Sequence, residues 1–199
     1  MRNLATMTCA SILFVACACA FAAPDNQIPN GWRVMGTGQD NYSLAKDPND
    51  SGTFVIQRVN DKSGHNEYAS LTQRISAQSY IGERIQFSGD LSTNDAGIAN
   101  LWVRVDGQNE KVISLSNLGA SAPKGTTGWQ HYSVVFDVPS NGFAVAYGVI
   151  LRGAGEVKVR NLAIMPVGKE VAASSPLPLL QMSPGATMPH APVNLGFNQ

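Results

Sequence analysis

Cysteine is missing from most of this chain, because Cys9, Cys17 and Cys19 all lie within its first 19 residues. The remaining residues can form no disulfide bond, so a stable fold must rely on a hydrophobic core. About 140 residues, from 30 to 167, are enough chain to bury one such core. Beyond residue 19 there is also no thiol nucleophile, and no Gly-x-Ser-x-Gly sequence marks a serine nucleophile.

Charge and long apolar runs are also scarce. The 199 residues carry 14 basic and 14 acidic side chains, with no basic cluster. We therefore expect no nucleic-acid partner and no electrostatic attraction to a membrane surface. After residue 23 no apolar run approaches the roughly 20 residues that a membrane-spanning helix needs. The three histidines, at 65, 131 and 190, lack the spacing of zinc ligands.

The first 22 residues have the pattern of a signal peptide. Arg2 precedes an apolar stretch from 9 to 23, and Ala20-Phe21-Ala22 forms a small-x-small cleavage site. We therefore predict a signal peptide over 1–22 and a periplasmic or secreted protein. Its removal takes away Arg2 alone and leaves 13 basic against 14 acidic residues. Lipidation at Cys17 is the alternative, although Phe14 stands where a lipobox usually has leucine.

Strand-like alternation dominates residues 30–167. Large, mostly apolar side chains occupy every second position over 130–138, and Pro139 ends this run. Over 143–151 large apolar side chains alternate with Ala144, Ala146 and Gly148, which leaves one face of that strand open to close approach. A last strand is predicted to bulge at Arg160-Asn161.

Ten strands and no convincing amphipathic helix are predicted in this domain. The predicted strands are 32–35, 42–45, 54–59, 68–75, 84–91, 99–105, 112–116, 130–138, 144–151 and 156–165. Short strands at this spacing, separated by turn residues, indicate an all-β fold. We predict a two-sheet antiparallel β-sandwich over 30–167, with jelly-roll, galactose-binding-like connectivity.

The composition changes after Val167 to alanine, serine and proline. Residues 168–199 are therefore predicted to form an extended tail. Its last part, PVNLGFN at 192–198, returns to a β-like pattern and predicts a terminal strand. This strand would pair either with its own domain or with a second copy, which would make a homo-oligomer. The alternative is a vestige of a lost second repeat.

Several blocks of sequence carry a resemblance to a known family. They are Gly31-Trp32, YASLTQ at 68–73, YIGER at 80–84, LWVRVDG at 101–107 and GTTGWQ at 125–130. In this order they resemble an uncharacterised bacterial β-sandwich module, which occurs in secreted proteins and fused to AraC-type helix-turn-helix regulators. The resemblance covers residues 31–167. It implies a jelly roll similar to carbohydrate-binding modules, and it implies no established activity.

The chain departs from this family in three places. It contains no recognisable pair of DNA-binding helices, so the regulator function is not carried over. Carbohydrate-binding jelly rolls often end with an acidic pair that holds a structural calcium, whereas this chain has Arg160-Asn161. A Pro-x-Asn-Leu-x-Phe segment precedes the Gly-Trp of the family, but here it lies at 192–197. We expect no cofactor, and a structural calcium is disfavoured.

A second calcium candidate lies in the loop DPNDSG at 47–52, which copies the first half of an EF-hand loop. Arg58 stands at the twelfth position, where a bidentate glutamate is needed. Asp47 and Asn49 are therefore only weak candidates for a looser metal site. The alternative is an Asx turn.

The candidate ligand-binding residues follow the alternation of two strands. They are Asn100, Trp102, Arg104 and Asp106 on one strand, and Arg84 and Gln86 on the other. We predict that the two strands are neighbours and that these side chains line one polar face. An indole stacks on the C–H face of a sugar, while guanidinium and carboxylate groups bind neighbouring hydroxyls. The alternative is that Trp102 belongs to the core and that Arg104 and Asp106 form a rim pair.

The two other tryptophans, Trp32 and Trp129, stand beside glycines at strand starts and are predicted to plug the ends of the core.

Together these features predict a non-catalytic, secreted or periplasmic module that binds a saccharide or similar polar small molecule. One alternative is an assembly protein that donates its C-terminal strand. Another is a hydrolase or lyase of envelope polysaccharide, which would need a carboxylate pair in one cleft. No catalytic residue is predicted.

Overall fold

The computed structural model describes residues 28–60, 66–177 and 188–198. The predicted signal peptide over 1–22, the lipidation candidate Cys17 and His65 lie outside these residues. The strands are Arg33–Thr37 (β1), Tyr42–Asp47 (β2), Asp50–Arg58 (β3), Tyr68–Ser76 (β4), Arg84–Ala96 (β5), Ile98–Gly107 (β6), Val112–Asn117 (β7), Gly125–Asp137 (β8), Gly142–Arg152 (β9) and Glu156–Val167 (β10). Each of the ten predicted strands is therefore present.

The ten strands form two antiparallel five-stranded sheets. The first sheet has the order β1-β4-β9-β6-β7, and the second has the order β2-β3-β10-β5-β8. Most connections between consecutive strands cross from one sheet to the other, as in a jelly roll. The predicted all-β sandwich is confirmed.

The core lies between the sheets and is built from alternate residues of each strand. On β6 the core residues include Leu101, Val103 and Val105, and on β9 they include Tyr147, which is fully buried. This is the period-two pattern of a strand with one buried face. Removing this apolar surface from water is the main force that holds the sheets together, because the described residues contain no cysteine.

The last strand contains the predicted bulge. The pairing of β10 with β5 shifts between Arg160 and Ala163, and Asn161 has a positive φ of 53°. The bulge turns Leu162 toward the core beside Gly89, where a Cβ would collide with the Leu162 side chain. A larger residue opposite the bulge would therefore have to displace the Leu162 side chain.

The first part of the tail lies along one side of the sandwich and bridges both sheets. The Ser174 N–H donates to the Val135 carbonyl on β8, and the Val135 N–H donates to Ser174 Oγ. The Leu177 N–H then donates to the Leu115 carbonyl on β7. These contacts connect the two edge strands, one from each sheet.

The end of the chain packs against its own domain, although not as the predicted strand. Phe197 is fully buried, with its ring 5.7 Å from Trp32 and 5.4 Å from Phe54. Asn194 and Phe197 both have positive φ, so residues 192–198 cannot extend as a strand. The Gln73 amide instead holds both backbone groups of Val193, each at 2.7 Å.

None of the helical segments in the described part of the chain has the length and hydropathy of a membrane span.

Candidate functional site

Four of the six candidate residues come together on the outer face of the first sheet, which is the face turned away from the core. Because Leu101, Val103 and Val105 point inward, their neighbours on β6 must point outward. The outward residues are Asn100, Trp102, Arg104 and Asp106, with exposed fractions of 8%, 8%, 6% and 1%. They are therefore buried without belonging to the core between the sheets.

Trp102 lies across strand β9 and reaches strand β4. Its partner on β9 is Gly148, and Gly148 is in turn paired with Thr72 on β4. The indole Nε1 donates a 3.0 Å hydrogen bond to Ser70 Oγ, which also donates to the Val149 carbonyl. Only glycine fits at 148, because a Cβ there would collide with the carbonyl oxygen of Leu71. The small side chains that the sequence pattern places on β9 thus lie next to this indole.

A compact charge cluster lies beside Trp102 on the same face. Arg104 pairs with Asp106: its Nη2 donates a 2.9 Å hydrogen bond to Oδ2, and its Nε lies 2.7 Å from Oδ1. Arg74 on β4 places its Nε 3.4 Å from Asp106 Oδ2 and its Nη1 3.8 Å from Glu110 Oε1. Among the described residues, two guanidinium groups thus face two carboxylates. Desolvating four charges is costly, so a buried cluster of this kind adds little net stability over apolar side chains of similar size.

Asn100 supports the neighbouring turn. Its Oδ1 accepts a 2.9 Å hydrogen bond from the Leu118 N–H, just beyond the end of β7. Asn100 therefore fixes the loop at the edge of the site, next to Trp102 along the strand.

The prediction that Arg84 and Gln86 share this face is wrong. Both residues lie on β5, which belongs to the second sheet, and they point outward on the opposite side of the sandwich. Arg84 forms a bidentate pair with Asp137 at 2.9 and 2.8 Å and donates to the carbonyls of Lys169 and Val171. Strands β5 and β6 are consecutive in sequence, but β5 belongs to the second sheet and β6 to the first. Arg84 therefore anchors the start of the tail.

The two other tryptophans differ from each other. Trp32 is 5% exposed and packs edge-to-face on Tyr147 at 5.9 Å, so its predicted role as a core plug is confirmed. Trp129 was expected to do the same, and that prediction is wrong. It lies on the outer face of the second sheet, 38% exposed, with the Arg160 guanidinium 4.1 Å from its ring centroid. The inward positions of β8 near the core are instead occupied by Val134 and Phe136.

Arg160 and Asn161, which replace the acidic pair of related jelly rolls, surround Asp90. Asn161 Nδ2 donates to Asp90 Oδ2 at 2.7 Å, and Arg160 Nε lies 3.8 Å from the same oxygen. His131 Nδ1 lies 2.9 Å from Asp90 Oδ1. The hydrogen bonds from Asn161 and His131 lower the pKa of Asp90, so the carboxylate is ionised and held by three side chains.

The weak calcium candidates Asp47 and Asn49 form an Asx turn. The Asn49 N–H donates to Asp47 Oδ1 at 2.9 Å, while Lys158 Nζ donates to Oδ2 at 2.6 Å. Both bonds, with that from Lys158 the stronger, lower the pKa of Asp47. Across residues 28–60, 66–177 and 188–198, no three His, Cys, Asp or Glu side chains are grouped as metal ligands.

Sequence reasoning missed the contribution of strand β4. Ser70, Thr72 and Arg74 alternate with the core residues Leu71 and Ile75 and therefore share the outer face with Trp102. Their period-two pattern was a usable signal. No signal in the sequence indicated that β4 and β6 lie in the same sheet. They are separated there by β9, a strand that comes later in the chain than either of them.

Comparison with known proteins places the chain among β-sandwich proteins. No family model matches it. It is 32% identical over 166 residues to the uncharacterized HTH-type transcriptional regulator YbfP of Bacillus subtilis (strain 168), a match that covers 83% of this chain and 52% of the relative. The chain thus spans about half the length of this relative. The part of the chain that the structure describes contains no α-helix, only four short 3-10 turns.

Solved structures share the architecture at low sequence identity. The enzymatically active domain of bacteriophage CBA120 tailspike protein 4 matches with a TM-score of 0.51 and 19% identity, over 72% of this chain and 20% of that one. A structure described as "CBM4 structure and function" matches with a TM-score of 0.49 and 15% identity, over 72% and 94% of the two chains. TmCBM61 in complex with beta-1,4-galactotriose gives 0.45 and 10%, over 69% and 90%. The tailspike likeness shows that this chain has the same β-sandwich fold.

Proposed function

We propose that this protein is a non-catalytic saccharide-binding module and that it binds through the outer face of the first sheet. The observation that supports this proposal is the group of Trp102, Arg104 and Asp106, which is buried outside the core. A fold that needed only stability would gain as much from apolar side chains at these positions, because buried ion pairs rarely repay their desolvation. A role in ligand binding explains why a polar, charged group occupies these positions.

The side chains suit a polyhydroxylated ring. The indole of Trp102 offers an apolar surface for sugar C–H groups. Arg104, Arg74 and Asp106 offer charged donors and acceptors, which make the strongest hydrogen bonds to hydroxyl groups. Since Trp102 and Arg104 are each less than a tenth exposed, binding requires the outer face to open locally around them.

A binding role fits this geometry better than hydrolysis. A glycosidase needs one carboxylic acid that keeps a proton and a second carboxylate at a set distance. Here both oxygens of Asp106 face guanidinium groups, and Glu110 faces Arg74. These pairings hold both carboxylates against guanidinium groups, an arrangement that suits positioning a ligand. The polysaccharide hydrolase or lyase therefore remains the weaker candidate.

Export to the periplasm or beyond is part of the proposal, and it rests on the signal-peptide pattern over residues 1–22. N-terminal sequencing of the protein recovered from a periplasmic extract would test it. We expect a new N-terminus near Ala23, and recovery of the uncleaved chain from the cytoplasm would contradict export.

Affinity electrophoresis through gels that contain neutral polysaccharides tests the binding proposal directly. We expect at least one of them to retard the wild-type protein, and Trp102→Ala to lose this retardation while Trp102→Phe keeps part of it. Trp129→Ala is the matched control, because that indole lies on the other sheet. Equal retardation of the wild type and Trp102→Ala would contradict the proposal, provided that both proteins unfold cooperatively.

A further inference from the structure

A separate groove of about 540 Å³ lies at one end of the sandwich. Three turns form it, namely residues 77–83 between β4 and β5, 107–111 between β6 and β7, and 138–142 between β8 and β9. Its main lining side chains are Ile81, Gln108, Lys111, Ile113, Asn141 and Phe143. Its volume lies within the range of small-molecule sites. Trp102, Arg104 and Asp106 are not part of its lining.

Backbone hydrogen bonds between the turns hold the groove in shape. The Gly82 N–H donates to the Val138 carbonyl at 2.9 Å, and the Val138 N–H donates to the Glu83 carbonyl at 2.9 Å. The Ala77 N–H donates to the Phe143 carbonyl at 3.0 Å. The walls are therefore pre-formed, and a ligand would lose little free energy in ordering them.

The groove concentrates exposed apolar surface. Phe143 is 46% exposed and Ile81 is 42% exposed, and these are two of the five large hydrophobic side chains that are exposed in the described residues. Both side chains line the same open groove. An exposed phenylalanine ring offers a stacking surface for the C–H face of a sugar.

The polar part of the lining has a net positive charge. Lys111 is exposed, and no carboxylate in the described residues lies within ion-pair distance of it. Among the described residues no acidic side chain lines the groove, while Gln108 and Asn141 present exposed amides. An exposed ammonium beside two amides favours a ligand that has an anionic group together with hydroxyl groups.

We propose that this groove binds a saccharide that carries a carboxylate, such as a uronic acid residue. The sugar ring stacks on Phe143, its carboxylate pairs with the Lys111 ammonium, and its hydroxyls bind the amides of Gln108 and Asn141. This site is distinct from the outer face of the first sheet, and it adds selectivity for acidic polysaccharides that the neutral charge cluster there does not provide.

Affinity electrophoresis of the full chain through polygalacturonate, alginate and hyaluronan gels tests the groove. We expect at least one of these polyuronates to retard the wild type, with Phe143→Ala and Lys111→Gln each weakening the apparent affinity at least fivefold. Lys111→Arg should keep most of it, and added salt should weaken it, because the ion pair is exposed. The matched control is Trp129→Ala, which removes a similarly exposed aromatic ring from another surface and should bind as the wild type does.

Two results would overturn the groove proposal. One is that none of the three polyuronates retards the wild type, and the other is that Phe143→Ala and Lys111→Gln bind as tightly as the wild type. Trp102→Ala separates this proposal from the previous one. If only Trp102→Ala loses binding to every polysaccharide, the outer face alone binds and the groove does not. If only the Phe143 and Lys111 variants lose binding, the groove stands and the outer-face proposal falls.

Discussion

The outer faces of the two sheets carry the same residue types in very different surroundings. On the first sheet Trp102, Arg104 and Asp106 are almost fully buried. On the second sheet Trp129 is 38% exposed beneath Arg160, whose side chain is 37% exposed. Burial decides how much such groups contribute to the free energy of unfolding. Water screens an exposed ion pair, so that pair stabilises the fold only slightly. A buried pair carries a large desolvation cost, and removing one partner leaves a charge stranded.

Three aspartates on strands of the second sheet have a lowered pKa. The main cause is a side-chain hydrogen bond, from Lys158 to Asp47, from Asn161 to Asp90 and from Arg84 to Asp137. The strongest case is Asp137, whose pKa falls to about 2, first because of Arg84 and then because of Lys169. Of the three, Asp137 is the most exposed and Asp47 is buried.

The largest effect is expected from Asp106→Ala, compared with Asp90→Ala on the other face. Without Asp106 the buried guanidinium of Arg104 loses this ion pair and its 2.9 Å hydrogen bond. The free energy of unfolding should fall by about 3 to 5 kcal/mol, whereas Asp90→Ala should cost about 1 kcal/mol or less because its partners reach water. Urea denaturation measures both. Equal losses would remove the distinction between the faces.

The second comparison sets Trp102→Ala against Trp129→Ala. Removing a buried indole leaves a cavity, and we expect a loss of about 3 kcal/mol for Trp102. Removing Trp129 should cost about 0.5 kcal/mol, since its ring is partly exposed and contributes mainly a surface cation–π contact. Thermal unfolding of the two variants with the wild type gives both values. A larger loss for Trp129 would mean that the exposed face, and not the buried one, holds the sandwich together.

A smaller effect is expected from Ser70→Ala, which removes the partner of the Trp102 indole. The buried N–H of Trp102 would be left without its 3.0 Å hydrogen bond. We expect a loss of about 1 kcal/mol in the free energy of unfolding, together with a shift of Trp102 fluorescence. An unchanged stability and spectrum would show that the indole finds another partner.

The smallest effect is expected from acid titration of Asp137. Its pKa is lower in the folded state than in the unfolded chain, so the stabilisation is present above pH 4 and is lost as the pH falls toward 2. The wild-type melting temperature should therefore fall more steeply over this range than that of Asp137→Asn. Parallel curves for the two proteins would show that the pairs with Arg84 and Lys169 contribute nothing. Asp137 is about half exposed, so the difference should amount to a few degrees at most.

The strands were predictable because their signal is local. Alternation within a single strand identified all ten, and it also placed Leu101 and Trp102 on opposite faces of β6, while the structure decided which of the two faces the core. The bulge at Arg160-Asn161 was likewise visible, because two polar residues interrupt an apolar run. The neighbours of each strand were not predictable in the same way. Arg84 was placed beside Trp102 because the two strands are consecutive in sequence, but consecutive strands of a jelly roll commonly lie in different sheets.

The tail shows the same limit. Its proline-rich composition and the return of apolar residues near the end were visible in the sequence. Its attachment depends on Gln73 and Trp32, which hold Val193 and Asn194 by hydrogen bonds across more than a hundred residues. The turn conformation that replaces the predicted strand comes from positive φ at Asn194 and Phe197. The segment contacts its own domain, which was one of the two predicted partners. Pairing with a second copy stays a prediction.

The sequence by itself determined the all-β class and the ten strands, because these follow from a period of two along the chain. Only the tertiary structure decided which strands are neighbours, how deeply the tryptophans are buried, and that Arg74 and Ser70 join Trp102 at one site. These features depend on contacts between residues far apart in sequence, and no local pattern records them. The degree of burial also depends on these long-range contacts. It makes Trp102 and Asp106 differ from Trp129 and Asp90, the similar residues on the other sheet.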